Sequence, residues 1–168
     1  MSINNKNLCT IVNVVVILVF LQFLLPVVAS ADETSCVHTP EMFACVQYVK
    51  NYDGDTVTFN IPGVHPLLGK NIAVRVDGID TAEVKTKSHC EKQAARMARR
   101  LVANVLGRAK RIDLKNIKRG KYFRVVADVV YDGQNLKDIL VKNRLAYKYD
   151  GGRKPAMDWC AIGREPSH

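Results

Sequence analysis

The 168-residue sequence has no internal repeat and no low-complexity segment, which excludes repeat architectures such as solenoids. Acidic residues are scarce, since 16 aspartates and glutamates stand against 25 lysines and arginines, for a net charge of +9. A basic chain of this kind is attracted to polyanions such as nucleic acid, anionic lipid or acidic polysaccharide. The five cysteines include no CxxC pair, and the four histidines have neither triad nor metal spacing. A zinc site of Cys36, His38 and Cys45 is therefore disfavoured, because it has no clear fourth ligand.

The longest hydrophobic run lies at the N-terminus, over Leu8–Val28. It follows a short polar start that contains Lys6, and it ends in Ala29-Ser30-Ala31, a small-x-small cleavage pattern. We interpret residues 1–31 as a secretory signal peptide that is cleaved after Ala31. The alternative is an uncleaved membrane anchor, because the run is long enough to span a bilayer. Cleavage removes one lysine and no acidic residue, so the exported chain would carry a net charge of +8.

Cysteine usage agrees with a periplasmic or secreted protein. Cys9 belongs to the predicted signal peptide, which leaves four cysteines. An even number of cysteines in an oxidising compartment favours two disulfides, and four cysteines allow three pairings. We favour Cys36–Cys45 together with Cys90–Cys160, the second of which would tie the C-terminal tail to the body of the protein.

The hydrophobic pattern predicts one domain over residues 43–149, with a lead-in at 32–42 and a tail at 150–168. A long helix is predicted from a capping pattern of Ser88 and Glu91 to a stop at Gly107, and a short second helix follows Asn135. Pro62–Gly69 is predicted to be a loop. Alternation and turn residues predict five strands, at Phe43–Tyr52, Thr56–Ile61, Ile72–Asp77, Arg111–Lys115 and Arg124–Tyr131. This order predicts an α+β fold in which two helices pack on a five-stranded Greek-key β-barrel of the oligonucleotide-binding type, the OB-fold.

Residues that can carry chemistry fall in three segments, Asp53–Val57, Arg75–Glu83 and Lys121–Arg124. Arg75 lies on the strand face opposite the apolar residues Ile72, Val74 and Val76, because successive side chains alternate between the faces of a strand. Carboxylates bind hard cations such as calcium, and arginines donate paired hydrogen bonds to phosphate. A fold that joins these segments would suit the cleavage of a phosphodiester.

In this order and at this spacing, the segments resemble the staphylococcal nuclease (thermonuclease) family of secreted nucleases. The resemblance runs from about Val46 to Tyr149, and the ending Tyr149–Gly152 with Trp159-Cys160 is similar to short, cysteine-containing bacterial members. It depends on Asp53–Val57, Arg75, Gly78–Thr81, Glu83, Tyr122, Arg124, Ala127 and Leu145-Ala146. The resemblance implies the OB-fold barrel and a calcium-dependent nuclease that acts on DNA and RNA and leaves 3′-phosphate ends.

The resemblance also implies a role for each matching residue. The side chains of Asp55 and Asp80 and the backbone carbonyl of Thr81 would bind Ca²⁺. Glu83 would position or deprotonate the attacking water. The residues that grip the scissile phosphate would be Arg75 and Arg124.

Further residues are candidates for supporting roles. Lys121, Tyr122 and Tyr147 are candidates for contact with the nucleotide, since aromatic rings stack on any base and lysine attracts phosphate. For the two tyrosines, packing in the core or the hairpin is an equally good interpretation. Asp53 and Asp77 are interpreted as turn or supporting residues.

The chain departs from the family pattern at several positions. Ala82 replaces a proline that usually precedes the glutamate, and Phe123 replaces a glycine beside Arg124. Arg144 stands where a glycine normally ends the second helix, and a positive φ there would cost on the order of 1 kcal/mol unless the cap shifts to Asn143. The tail also has no counterpart of the basic third helix found in the best-known members.

Two other classes of function remain open. The same barrel could bind single-stranded nucleic acid without cutting it. An uncleaved N-terminus would instead give an envelope protein held to the membrane. With the signal peptide removed, we expect a monomer that has no stable membrane association and acts on DNA and RNA.

Overall fold

The computed structural model describes residues 35–161. The predicted signal peptide and the last seven residues lie outside this part of the chain. Within residues 35–161, no helix is long and apolar enough to cross a bilayer.

The described chain forms nine strands and three α-helices, with short 3₁₀ turns at Lys121–Phe123 and Trp159–Ala161. The strands are β1 Met42–Phe43, β2 Gln47–Asn51, β3 Thr56–Asn60, β4 Ile72–Val76, β5 Ile79–Thr81, β6 Ile112–Arg119, β7 Val125–Tyr131, β8 Gln134–Asn135 and β9 Ala146–Lys148. The helices are α1 Pro66–Gly69, α2 His89–Arg108 and α3 Leu136–Lys142. The predicted α+β class is confirmed, but the count of two helices was wrong. The proline at the start of α1 and the side chain of His65, which accepts a hydrogen bond from Leu67 N, allow one helical turn in the predicted loop.

The main sheet is mixed, with the strand order β1-β6-β7-β4-β3-β2 and β8 paired to β7. Strands β4 and β7 are parallel, and the other ladders of this sheet are antiparallel. Strands β5 and β9, which the hydrophobic pattern did not predict, form a separate antiparallel pair. Asp80 and Thr81 lie on β5 of this small sheet.

The predicted first strand is divided at Cys45, whose φ of 53° lies in the left-handed region. Before this residue β1 pairs with β6, and after it β2 pairs with β3. The backbone N–H of Val46 still donates to Ile112 O at 2.8 Å, so the contact with β6 continues across the bend. Cys45 is also bonded to Cys36. The bend therefore lets one segment of chain contact strands on both sides of it.

One apolar core lies between the sheet and the two longer helices. The predicted inward rows of the strands are buried, including Val57 and Phe59 on β3 and Val74 and Val76 on β4. Helix α2 contributes Ala98, Val102 and Leu106, and α3 contributes Leu136 and Leu140. Arg75 lies between two of the buried valines in sequence and is itself only half-buried. The alternation therefore does direct this arginine away from the core.

The predicted N-cap of α2 is present, but the predicted end of the helix at Gly107 is not. The Ser88 side chain accepts from Glu91 N at 3.3 Å, as an N-cap residue does. The Glu91 carboxylate does not complete a capping box, because it accepts from Thr86 Oγ1 instead. At the other end the helix continues past the predicted stop at Gly107, and Ala109 is the C-cap.

Both favoured disulfides are present, Cys36–Cys45 and Cys90–Cys160. The second joins the first turn of α2 to the C-terminal tail across 70 residues. Arg144 has a φ of 57°, and the α3 C-cap is Asn143 with a φ of −85°. The arginine thus adopts the left-handed backbone conformation in which glycine is usually found.

Candidate active site

The Asp53-Gly54-Asp55 turn is held by its own side chain and by the packing of its glycine. Asp53 Oδ1 accepts from the backbone N–H groups of Asp55 (3.2 Å) and Thr56 (2.7 Å). A Cβ on Gly54 would lie 2.8 Å from both Ala98 Cβ and Thr81 Cγ2. The turn therefore sits directly on α2 and β5, and this contact places Asp55 beside Thr81. Asp53 has the turn role that its sequence context indicates.

Asp55 is a buried carboxylate, 2% exposed. Its Oδ2 accepts from Thr81 N at 2.9 Å, and its Oδ1 accepts from Arg75 Nη1 at 3.0 Å and from Thr56 Oγ1 at 3.2 Å. Burial raises the pKa of Asp55 to about 7; Arg75 opposes the rise, whereas the charges of Asp53 and Asp80 add to it. This carboxyl group thus has less cationic compensation than its burial requires.

Asp80 is equally buried, at 2% exposure, and lies on β5. Its Oδ1 accepts from Arg75 Nη2 at 2.5 Å, and its Oδ2 accepts from Tyr147 Oη at 2.6 Å and from Lys154 Nζ at 2.9 Å. Burial acts to raise the pKa of Asp80, but the hydrogen bonds from Tyr147, Lys154 and Arg75 outweigh it and hold the pKa below its usual value.

Arg75 joins the two carboxylates. Its register on β4, opposite Thr56 of β3 and Val126 of β7, places it at the centre of the sheet. One guanidinium nitrogen contacts Asp55 and the other contacts Asp80. Burial acts to lower the pKa of Arg75, and the charges of the two aspartates raise it by more. Arg75 is therefore a fixed cation between two carboxylates that lie 25 residues apart in sequence.

Glu83 lies just beyond this cluster, with its side chain 54% exposed. Its Oε1 is 2.9 Å from Lys154 Nζ, the same ammonium group that contacts Asp80. The hydrogen bonds to Glu83 and Asp80 raise the pKa of Lys154, although burial opposes the rise. The lysine comes from the C-terminal tail.

A groove with a volume of about 890 Å³ is lined by Arg75, Glu83 and Lys154 of this cluster, whereas Asp55 and Asp80 lie outside its lining. Its cationic lining comes from β4, from β6 and the hairpin that follows it, and from the tail, and consists of Arg75, Lys118, Arg119, Lys121, Arg124 and Lys154. Glu83 lines the same groove. Within residues 35–161 the Arg124 side chain, which is exposed, has no hydrogen-bond or ion-pair partner. Its guanidinium is thus available to an anion that enters the groove.

Of the three candidate substrate contacts, Lys121 and Tyr122 line the groove and Tyr147 does not. Tyr122 and Lys121 lie on the exposed hairpin tip and line the groove, and Tyr122 is 92% exposed with a φ of 58°. Tyr147 is half-buried and lies outside the groove lining, where its hydroxyl donates to Asp80. Its ring packs near Tyr149 and Trp159, at centroid distances of 6.4 and 6.0 Å. Asp77 accepts from Lys118 Nζ at 2.7 Å at the rim.

The structure therefore brings Arg75, Asp55, Asp80, Thr81 and Glu83 into one cluster and places Arg124 on the same groove. The sequence reasoning missed Lys154, because a lone lysine in a glycine- and proline-containing tail carries no signal of its own. The predicted Cys90–Cys160 bond was the available clue, since it draws the tail towards the start of α2, a few residues after Glu83.

No group of three or more His, Cys, Asp or Glu side chains within residues 35–161 has a metal-binding arrangement. The predicted ligand set contains only two carboxylates, with a backbone carbonyl as the third donor. Each carboxylate accepts three hydrogen bonds and has about four lone-pair sites, so each has capacity for one further contact. Hard oxygen donors of this type suit calcium. The residues present therefore fit that ion.

A family model described as "Staphylococcal nuclease homologue" matches residues 73–158, just over half of the chain. The matched segment contains Arg75, Asp80, Thr81, Glu83 and Arg124, and Asp55 precedes it. No curated protein matches the chain.

Proposed function

The chain belongs to the family of staphylococcal nuclease homologues, and from that premise we propose that it is a calcium-dependent nuclease that cleaves DNA and RNA. The observation that carries the proposal is the pair of buried carboxylates, Asp55 and Asp80, bridged by Arg75, which itself lines a groove rich in cationic side chains. Burying two carboxylates is unfavourable unless cations compensate them. Arg75 and Lys154 supply part of this compensation, and a bound metal cation would supply more.

In this proposal calcium is held by Asp55, Asp80 and the backbone carbonyl of Thr81. When bound, the ion would supply positive charge that offsets the negative charge on the phosphate and the water.

Protein side chains carry out proton transfer and stabilise the charge on the phosphate. Glu83 accepts a proton from a water molecule, and the water oxygen attacks phosphorus. The P–O5′ bond breaks, the leaving 5′-oxygen takes up a proton from solvent, and the phosphate stays on the 3′-oxygen. Glu83 then returns the proton that it accepted to solvent. Arg124, which has no protein partner within residues 35–161, and Arg75 donate hydrogen bonds to the phosphoryl oxygens as their charge rises.

The decisive experiment measures cleavage of DNA and of RNA by the protein, produced in an oxidising compartment, with calcium or with a chelator. We expect cleavage with calcium and none with the chelator. Glu83→Gln and Arg124→Ala should each lower the rate by at least ~100-fold, the effect expected of groups that act on the transition state. The matched controls are Glu41→Gln and Arg96→Ala, exposed residues outside the groove, which should leave the rate unchanged. Equal cleavage in the chelator, or full activity of both site variants, would overturn the proposal.

A second candidate is a module that binds single-stranded nucleic acid without cutting it. The observation in its favour is the exposed aromatic pair on the hairpin tip, Tyr122 at 92% and Phe123 at 81% exposure. Arg119 lies over the Phe123 ring, with its guanidinium carbon 5.5 Å from the centroid. Exposed rings beside cations are a common surface for stacking bases. Binding that persists with no cleavage under any calcium concentration would favour this candidate.

We also propose that the main sheet closes into the five-stranded OB-fold barrel. Closure would make one bent strand of β1 and β2, so that the circuit runs from β6 through this strand to β3, β4, β7 and back to β6. The supporting contacts are the β1–β6 ladder, the Val46–Ile112 hydrogen bond and the β2–β3 ladder. An experimental structure in which β6 makes no hydrogen bonds to the β1–β2 segment would contradict the proposed closure of the barrel.

Finally, we propose that the protein is exported and acts as a monomer, free of the membrane once residues 1–31 are removed. Two disulfides in the structure support an oxidising location. Mass spectrometry of the protein recovered from its host should give a chain that begins at Asp32. A mass that includes residues 1–31 would instead support the membrane-held alternative.

A further inference from the structure

The tail after β9 returns to the site and is fixed at both of its ends. It begins at the end of β9, and at its far end Cys160 is bonded to Cys90 in the first turn of α2. Trp159 packs against a small apolar cluster of Ala82, Ala94 and Ala95, separate from the main core. The tail between these anchors is therefore held along the groove, where Asp150, Gly151 and Lys154 form part of the lining.

Lys154 makes the closest contact between this tail and the site. Its ammonium is 2.9 Å from Asp80 Oδ2 and 2.9 Å from Glu83 Oε1. Asp80 is 2% exposed and is held by further bonds, so it is a rigid anchor for the lysine. Glu83, in contrast, is held weakly, because its side chain is 54% exposed. Within residues 35–161, its carboxylate contacts Lys154 and no other side chain. An exposed glutamate without such a partner samples several rotamers.

We propose that Lys154 is a positioning residue that orients the Glu83 carboxylate, and that the Cys90–Cys160 disulfide delivers it to the site; this inference rests on the proposed nuclease function. The Lys154 ammonium links the rigid carboxylate of Asp80 to the more mobile carboxylate of Glu83, and so reduces the number of rotamers that Glu83 can occupy. The site is then assembled from two parts of the chain, the domain and a tail that is covalently closed onto it. Oxidation of Cys90 and Cys160 becomes a condition for full activity.

The first test separates positioning from substrate binding. Lys154→Met removes the ammonium and retains the length of the side chain. We expect kcat to fall ~10- to 100-fold, the effect of a displaced catalytic group, with KM changed by less than about threefold. Lys154→Arg, which keeps a cation within reach of both carboxylates, should recover most of the lost kcat.

The matched control is Lys148→Met, the same change at an exposed lysine of β9 outside the groove, and it should retain the wild-type kcat. Unchanged or increased kcat in Lys154→Met would overturn the proposal. A higher KM at constant kcat would also overturn it, because Lys154 would then act as a substrate contact.

The second test asks whether the disulfide acts through Lys154. Cys90→Ser/Cys160→Ser should lower kcat, and adding Lys154→Met to this variant should give little further loss, because the two changes remove the same contact. Fully multiplicative losses would overturn the link between disulfide and lysine. The rates are compared below the unfolding temperature of each variant, since loss of a disulfide that closes a 70-residue separation also lowers stability.

A crystal structure of Lys154→Met supplies a readout that needs no activity and no change in the disulfide. We expect the Glu83 carboxylate to occupy more than one rotamer in this variant and one rotamer in the wild type. A single, unchanged rotamer in both would overturn the positioning role. If the wild-type protein cuts no nucleic acid, the proposed function fails, and this structural comparison still decides whether Lys154 orients Glu83.

Discussion

Gly54 offers a direct test of how packing builds the site. A Cβ at this position would lie 2.8 Å from Ala98 Cβ and from Thr81 Cγ2, a separation at which something must shift. Ala98 is 0% exposed and Thr81 is 4% exposed, so neither can move into solvent. We therefore expect Gly54→Ala to lower the free energy of unfolding by about 1–3 kcal/mol, the usual range for an overpacked core.

This loss of stability can be converted to a shift in Tm. An unfolding entropy of about 2.1 cal/mol/K per residue, applied to a domain of this size, gives a drop of roughly 4–11 °C. The measurement is thermal unfolding followed by circular dichroism, with both disulfides intact. Asp55 follows the substituted residue, so its carboxylate should move relative to Thr81. Nuclease activity below the Tm should consequently fall at least tenfold if the proposed function holds.

The control is the same substitution at Gly107, where a Cβ would meet no heavy atom within 4 Å. Gly107 lies in the last turn of α2, and alanine favours a helix over glycine by up to about 1 kcal/mol. We expect Gly107→Ala to raise the Tm slightly and to leave activity unchanged. The steric reasoning is refuted if Gly54→Ala has a Tm equal to or above that of the wild type, or if both variants lose the same stability.

Two further predictions concern the stability of the domain and the hairpin tip. Asp128 is 8% exposed and accepts from Lys137 Nζ at 2.5 Å and Asn116 Nδ2 at 2.8 Å; burial opposes these bonds, but they hold its pKa below the usual value. Because its pKa is lowered in the folded state, Asp128 contributes stability that is present above the unfolded pKa of about 3.9 and is lost as the pH falls through the folded value. In urea unfolding, Asp128→Asn should therefore cost about 1–3 kcal/mol at pH 7, and this cost should shrink as the pH is lowered below about 3.9. Phe123 is 81% exposed at a φ of 56°, so Phe123→Gly should raise the free energy of unfolding by about 1 kcal/mol and weaken binding of single-stranded DNA. Unchanged affinity in a fluorescence-anisotropy titration would exclude a stacking role for this ring, and lower stability would show that its contact with Arg119 outweighs the backbone strain.

Local patterns in the sequence predicted the parts of the fold that depend on nearby residues. Strand alternation identified the buried rows of β3 and β4 and turned Arg75 away from them, because the period of two depends on backbone geometry alone. The Ser88 cap likewise depends on a bond over three residues. These predictions required no knowledge of which elements pack together.

The features that were missed depend on contacts between distant segments. The bend at Cys45 is accompanied by a disulfide to Cys36 and by a hydrogen bond from Cys45 N to Asp113, 68 residues away. The position of Lys154 depends on the closure of the tail by a bond between Cys90 and Cys160. Neither follows from propensity or periodicity, since both are set by where the rest of the chain has already packed.

In the small β5–β9 sheet, the strand register, which the sequence did not predict, determines the role of Tyr147. Asp80 lies directly opposite Tyr147 in this antiparallel pair, so the two side chains share a face and the tyrosine hydroxyl reaches the carboxylate. A slip of one residue would place Ala146 or Lys148 opposite Asp80 and turn Tyr147 to the other face. The sequence could not choose between a stacking role and a packing role for Tyr147, because that choice depends on the register and not on the chemistry of tyrosine. With the register known, the hydroxyl acts as a hydrogen-bond donor to a buried carboxylate, and the exposed aromatic rings that remain as candidates for stacking are those of the hairpin tip, Tyr122 and Phe123.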